Sequence, residues 1–294
     1  MQSLTVKTPA KINLTLDILN KREDNYHEIN SIMQAVSLYD EISVSIAETK
    51  SKNNIIEISG NSDAIPYDSK NLAFKSAFEF LETNRFFNKK ISVYIKKTIP
   101  VSAGLAGGSS NAAGVLYALN LLFENICDDL TLSKLASELG SDVNFCLTGG
   151  TAFASSRGEK LESLPTPELN IVLIKPKDIA VSAKEAYKKF DLLKCKPEEK
   201  TSNQMTDAIR ANDTEKIASL LNNNLEASVF AMHPELKQIK DKLIRAGCLN
   251  AIMSGSGSSV FGIFKTNPKL KDFVSSKYEI FYVKSVETGI NPLL

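Results

Sequence analysis

A chain of 294 residues, 43% apolar and 23% charged, has the make-up of an ordinary globular protein and can bury a core without staples. Its 35 basic and 34 acidic side chains leave a net charge of +1, which excludes the broad basic surface that nucleic acid requires. Neither a signal-peptide run at Met1–Pro9 nor a stretch of roughly 18 apolar residues occurs, so a cytoplasmic protein without membrane spans is expected.

The first third reads as strands. Leu4–Thr8 and Ile12–Leu19 flank a break at Pro9-Ala10, and Ile12, Leu14, Leu16 and Ile18 alternate with polar residues at period two. Strands His27–Val36, Glu41–Ile46 and Ile55–Ser59 follow, then a helix over Asn71–Thr83 and a strand over Ile91–Lys97. Gly108–Phe123 is the clearest helix, with Ala112, Val115, Leu116, Leu119 and Leu122 at helical spacing. Leu132–Leu139 is a second, closed by Gly140; Ser141 is placed to cap a short third, Asp142–Leu147, which Gly149-Gly150 ends.

The second half begins with a hairpin, Thr151–Leu164, and a buried strand, Ile171–Lys175. Helices are expected at Ser182–Leu193, Thr214–Asn222, Pro234–Ala246 and Lys269–Ser276, with strands at Ser259–Phe264 and Ile280–Val286. Lys194–Asn203 reads as a linker or a solvated loop. The class is α+β in two layers, with lobes 1–160 and 161–294. Cys127, Cys146, Cys195 and Cys248 lie far apart with no C-x-x-C pair. Buried thiols are expected, and neither zinc nor a disulfide framework.

Chemistry concentrates in four places. Pro100, Val101, Ser102, Ala103, Gly104, Leu105, Ala106, Gly107, Gly108, Ser109 and Ser110 follow a strand and run into the strongest helix. Glycines let a backbone approach phosphate oxygens, and the unpaired N–H groups of a first helical turn point at an anion. Ser109 and Ser110 add hydroxyls, and Ser110 is a candidate magnesium ligand. No glycine is followed by lysine and G-x-G-x-x-G is absent, which excludes a Walker loop and disfavours a Rossmann hydride enzyme.

A second run, Met253–Val260, is either a flexible loop or another backbone wall around a polyphosphate. Lys11, early in an alternating strand, either faces solvent or enters a site; the adjacent Tyr26 and His27 are either a loop pair or a stacking surface with a hydrogen-bonding edge. Asp142 opens a helix, where a carboxylate either serves the dipole or stands ready to take a proton from a hydroxyl.

Pro9–Leu14, Tyr26-His27, Pro100–Ala113, Ser141–Cys146, Arg157-Gly158-Glu159 and Met253–Phe264 together resemble the galactokinase–homoserine kinase–mevalonate kinase (GHMP) superfamily. Within it they are similar to the branch that phosphorylates 4-diphosphocytidyl-2-C-methyl-D-erythritol in non-mevalonate isoprenoid synthesis. The resemblance implies a ribosomal protein S5 domain 2-like N-terminal lobe and a ferredoxin-like C-terminal lobe. It also implies that ATP, with Mg²⁺, donates its γ-phosphate to the C2 hydroxyl of that substrate; a monomer or homodimer binding neither nucleic acid nor membrane is expected, and the sequence names no macromolecular partner. On it, Asp142 is the base, Lys11 steadies developing charge, Asn13 holds the acceptor, Tyr26 and His27 recognise cytosine, and Pro100–Ser110 is the ATP loop. Several positions depart from the commonest pattern: Ser102 and Ala106 in the loop, Asn144, where proline is frequent, and Ser258-Ser259 in the last motif. The competing readings are another kinase of the superfamily, a decarboxylase on the same scaffold, and a non-catalytic nucleotide sensor.

Overall fold

The computed structural model describes residues 2–193, 201–274 and 276–293. Cys195 and most of the expected linker, residues 194–200, lie outside them. Among the described residues the chain forms two sheets with helices packed on them. The first sheet is built on two long strands, β1 (Gln2–Lys21) and β2 (His27–Glu48), paired antiparallel along most of their lengths. The expected break at Pro9-Ala10 is a register shift between Pro9 and Ala10 inside one continuous strand. A bulge absorbs a residue and bends the strand without ending it, so local propensity could not separate the two outcomes.

β3 (Ile55–Gly60) runs parallel to β4 (Lys89–Lys96), which pairs with the C-terminal half of β2. Helix α1 (Leu72–Thr83) intervenes, capped by the Asn71 side chain. It packs with α2 (Gly107–Leu122), α3 (Asp129–Leu139) and α4 (Val143–Thr148) on an apolar layer that includes Ile42, Val44, Phe80, Val93, Leu116 and Leu119. The hairpin β5 (Thr151–Ser156) and β6 (Lys160–Leu164) joins the N-terminal half of β2.

The second sheet takes β7 (Asn170–Pro176) and, later, β9 (Asn250–Met253), β10 (Val260–Phe264) and β11 (Tyr278–Lys284), in the order β11-β7-β10-β9. Successive residues of β7 point into different cores: Ile171 and Leu173 into one, Val172 and Ile174 into another. Burial on both faces is why this strand reads as an unbroken apolar run. Between β7 and β9 come α5 (Ala183–Leu193), α6 (Ser202–Arg210), α7 (Thr214–Ser219), β8 (Asn222–Asn223), α8 (Glu226–Met232) and α9 (Pro234–Arg245). β8 and a short last strand, β12 (Asn291–Pro292), return to pair with β1.

One expected helix fails, and a helix not expected, α6, appears. The described residues of 269–276 form no helix: Phe273 N–H donates to the Leu270 carbonyl and Lys277 N–H to the Val274 carbonyl, as in turns. Helix α6 had no visible start because its cap is remote: Asp17 on β1 accepts from the Thr201 hydroxyl and from both the backbone N–H and the hydroxyl of Ser202.

Ser102 and Ala106 hold φ angles of 53° and 55°, a left-handed conformation that costs a residue with a Cβ about 1–2 kcal/mol. The two loop positions that depart from the commonest pattern are thus strained. Ala106→Gly is expected to stabilise the protein by about 1 kcal/mol in reversible denaturation.

Candidate functional site

The alternation in β1 buries its polar side as well as its apolar one. Lys11, Asn13, Thr15 and Asp17 are all at least nine-tenths buried, so Lys11 does not face solvent. The Lys11 ammonium donates to Asn13 Oδ1 at 2.7 Å and lies 3.6 Å from Asp142 Oδ2. Asn13 in turn donates to Ser31 (2.8 Å), and Ser31 to the Thr15 carbonyl (2.6 Å). With its acceptor so engaged, Asn13 holds the lysine in place.

Asp142 is the N-cap residue of α4, one place later than the expected Ser141, and its side chain makes no capping bond. An aspartate at this position ordinarily accepts from the N–H groups of its own helix, for about 1 kcal/mol. Here the carboxylate, about a third exposed, is paired with Lys11. Beneath it, burial and the nearby Asp142 charge push the Cys146 thiol up. Cys127, Cys146 and Cys248 are all buried free thiols.

The glycine-serine loop meets β1 directly. Lys11 N–H donates to the Leu105 carbonyl at 3.1 Å, and Ser110 Oγ donates to the Pro9 carbonyl at 2.6 Å. Ser110, expected as a magnesium ligand, is fully buried and engaged as a tie between helix and strand. The second run closes on the first from the other side. Ser254 Oγ donates to the Gly104 carbonyl (2.9 Å) and Ser259 N–H to the Ala103 carbonyl (3.1 Å). Gly104 has φ 73°, and a Cβ there would collide with the Ser254 carbonyl. Asn223 fixes this second loop by donating to the carbonyls of Met253 and Gly255, both at 2.8 Å.

Two hollows share Gly104 and Ala106 as a common wall. One, of about 290 Å³, runs along Pro100–Gly108 toward Lys70, Asn71 and Lys97. The other, about 760 Å³, is lined by Lys11, Asn13 and Asp142 and by Tyr26, His27 and Arg157, a size that suits a small organic ligand. Tyr26 is half exposed, with the Arg157 guanidinium 5.1 Å from its ring centre. His27 is buried and stacked on Tyr187.

Sequence reasoning missed several supports. Asp40, fully buried, accepts from Lys97 Nζ (2.5 Å), Asn111 Nδ2 (2.7 Å) and the backbone N–H groups of Thr98 and Ile99. It binds the entry of the loop to the start of α2. Tyr187 and Asp191 reach the site from α5. Nothing local marks any of these three, since their partners are distant in the chain. Arg157 belonged to a conspicuous Arg-Gly-Glu triplet, but only the fold brings it to Tyr26.

A family model described as the GHMP kinases N-terminal domain matches residues 71–150, and one described as GHMP kinases C terminal matches residues 205–280. The 4-diphosphocytidyl-2-C-methyl-D-erythritol kinase of Bacillus cytotoxicus is 39% identical over 97% of this chain and 99% of its own. That of Bacillus pumilus is 41% identical, covering 90% and 89%. A crystal structure of 4-(cytidine 5'-diphospho)-2C-methyl-D-erythritol kinase matches with a TM-score of 0.78 at 29% identity, over 96% of this chain and 99% of that one. The homoserine kinase of Cytophaga hutchinsonii, at 21% identity and a TM-score of 0.76 over 100% and 98%, shares the fold.

Two variants test the loop. A Cβ on Gly108 would meet no protein atom within 4 Å, so Gly108→Ala should leave the melting temperature unlowered and, if the loop holds a nucleotide, take up part of its space. A rise of about tenfold in the KM for nucleotide is expected, equivalent to about 1.4 kcal/mol. Asp40→Ala leaves the Lys97 charge buried without its partner and should cost about 3–5 kcal/mol in urea unfolding.

Proposed function

We propose, from the premise that the chain belongs to the GHMP kinase superfamily and within it to the 4-diphosphocytidyl-2-C-methyl-D-erythritol kinases, that it phosphorylates the C2 hydroxyl of that substrate with ATP. The observation that carries the reading is Asp142, a helix-cap aspartate that leaves its helix uncapped and pairs with the buried Lys11 across 3.6 Å. A carboxylate placed this way in a ligand-sized cleft, beside the phosphate loop, can accept a proton from an incoming alcohol.

Phosphoryl transfer asks a protein chiefly for positioning and charge stabilisation. In our reading the triphosphate lies along Pro100–Ser110, with the amides of the first turn of α2 toward its oxygens. The acceptor occupies the larger hollow, its sugar-like end beside Asn13 and its base at Tyr26 and His27. The C2 oxygen forms a bond to the γ-phosphorus as the bond to the bridging oxygen breaks, ADP leaves, and the hydroxyl proton passes to Asp142. Lys11 offsets the negative charge at the oxygens in motion.

Among the described residues no group of three His, Cys, Asp or Glu side chains is placed to hold a metal. A magnesium ion arriving with ATP would therefore be held on the nucleotide rather than by a side-chain cluster of this chain. Such an ion supplies neutralisation of charge on the β- and γ-phosphates. Residues 1–160 and 161–294 are read as the two lobes around the cleft. No helix among the described residues is long and apolar enough to cross a membrane.

An ATP-consumption assay over an acceptor panel tests this reading, with products identified by mass. The cytidine-diphosphate-linked acceptor should gain one phosphate, while methylerythritol without cytidine, homoserine and mevalonate should not. Turnover of homoserine or mevalonate in its place would overturn the assignment. Asp142→Asn should bind ATP normally and lose about 10²–10⁴-fold in kcat; a near-normal rate removes Asp142 from the chemistry.

A further inference from the structure

Helix α5 meets the His27 ring with three side chains, Tyr187, Phe190 and Asp191. Tyr187 and Asp191 are four residues apart and so share a helix face. The Tyr187 ring lies 4.9 Å from the His27 ring at an inclination of 24°, and Phe190 meets its edge at 6.3 Å. Asp191 Oδ1 is 2.8 Å from His27 Nε2, while Oδ2 takes the Lys21 ammonium at 2.6 Å. Stacking fixes the plane of the imidazole, and the carboxylate fixes its rotation within that plane.

The same contact decides where the imidazole hydrogen sits. Burial pushes the Asp191 carboxyl up, but hydrogen bonds from Lys21 and His27 outweigh it and hold the group below the usual carboxylate range. An ionised carboxylate only accepts hydrogen bonds, so the hydrogen must be on Nε2. In a neutral ring Nδ1 is then an acceptor, and among the described residues no partner is seen for it. Since His27 lines the cleft, Nδ1 is the ring nitrogen left to a ligand.

We propose that Asp191 is a positioning residue that locks His27 in its Nε2–H tautomer and thereby selects a base with an exocyclic amine over one with a carbonyl in the same place. This rests on reading the cleft as a cytidine-diphosphate acceptor site. An amine donates to the Nδ1 lone pair, whereas a carbonyl sets two acceptors face to face, and a site built for a donor rejects a ligand without one. Asp191 touches neither the acceptor hydroxyl nor the γ-phosphate in this arrangement, so its effect is on binding.

The test pairs kinetics with a spectroscopic readout on the full chain. Wild type and Asp191→Asn are compared on the cytidine-linked acceptor and its uridine-linked counterpart, at saturating ATP. Asparagine can offer either its oxygen or its amide N–H to Nε2 and no longer enforces one tautomer. It should raise the KM for the cytidine acceptor about tenfold, hold kcat within about twofold, and reduce the preference for cytidine over uridine about tenfold. Nitrogen-15 spectra of His27 in the wild-type protein should show a protonated Nε2 and an unprotonated Nδ1, and mixed populations in the variant. An unchanged base preference, or an equal loss on both acceptors, overturns the proposal. So does a wild-type spectrum with the hydrogen on Nδ1 or on both nitrogens. A wild type inactive on the cytidine acceptor sinks the functional reading itself, while the spectrum still decides the tautomer.

Discussion

The site depends on how the glycine-serine loop is tied to β1 over the three residues Pro9, Ala10 and Lys11. Ser110 donates to Pro9 from the first turn of α2, and the Lys11 N–H donates to Leu105 within the loop. The register shift between Pro9 and Ala10 falls at the same place. Proline has no N–H to give to a ladder, so its carbonyl is a natural acceptor for a helix arriving from outside the sheet. Because Lys11 is itself one of the tied residues, its ammonium is fixed relative to the amides of the loop. On the proposed reading, in which both act on one reacting phosphorus, the same few bonds set the two groups.

The loop is then braced on two more sides. Asp40 gathers its entrance and the start of α2 from below, and the Ser254–Ser259 segment closes over Ala103 and Gly104. The left-handed residues Ser102 and Ala106 stay in place inside this bracing. Strain of this kind persists where the surroundings over-determine it, and it gathers at sites where backbone groups must point at a ligand. Asp142 repeats the pattern on a smaller scale, since it forgoes a cap that its position offers in order to face Lys11. Local stability is given up at the points where chemistry needs a group aimed elsewhere.

What could be read from the sequence follows the range of the interactions. The strand–loop–helix unit at Pro100–Phe123 and the hairpin at Thr151–Leu164 were legible because their signals, glycine density and apolar period, lie within a dozen residues. Lys11 and Asp142 could be singled out, but not joined, by residue type and place. That they lie 3.6 Å apart is a fact of the β1–α4 packing. Helix α6 was invisible because Asp17, far back in the chain, supplies its cap. Asp40 reads as a polar residue between two strands, and only its four partners disclose its work. Asp191 falls within the expected helix Ser182–Leu193, with nothing local to mark it, and only the packing of α5 brings it to His27. The helix expected over Lys269–Ser276 fails for the opposite reason: helix-forming residues are present, but Leu270 to Phe273 closes a turn instead.

The most direct test of the account is a crystal structure of the protein with a non-hydrolysable ATP analogue and the cytidine-linked acceptor bound together. The account predicts the acceptor's C2 oxygen within hydrogen-bond reach of an Asp142 carboxylate oxygen, with the γ-phosphorus next to it and the triphosphate along Gly104–Ser110. A complex in which that oxygen lies on the far side of Lys11 from Asp142, or in which the triphosphate avoids the loop, would contradict it.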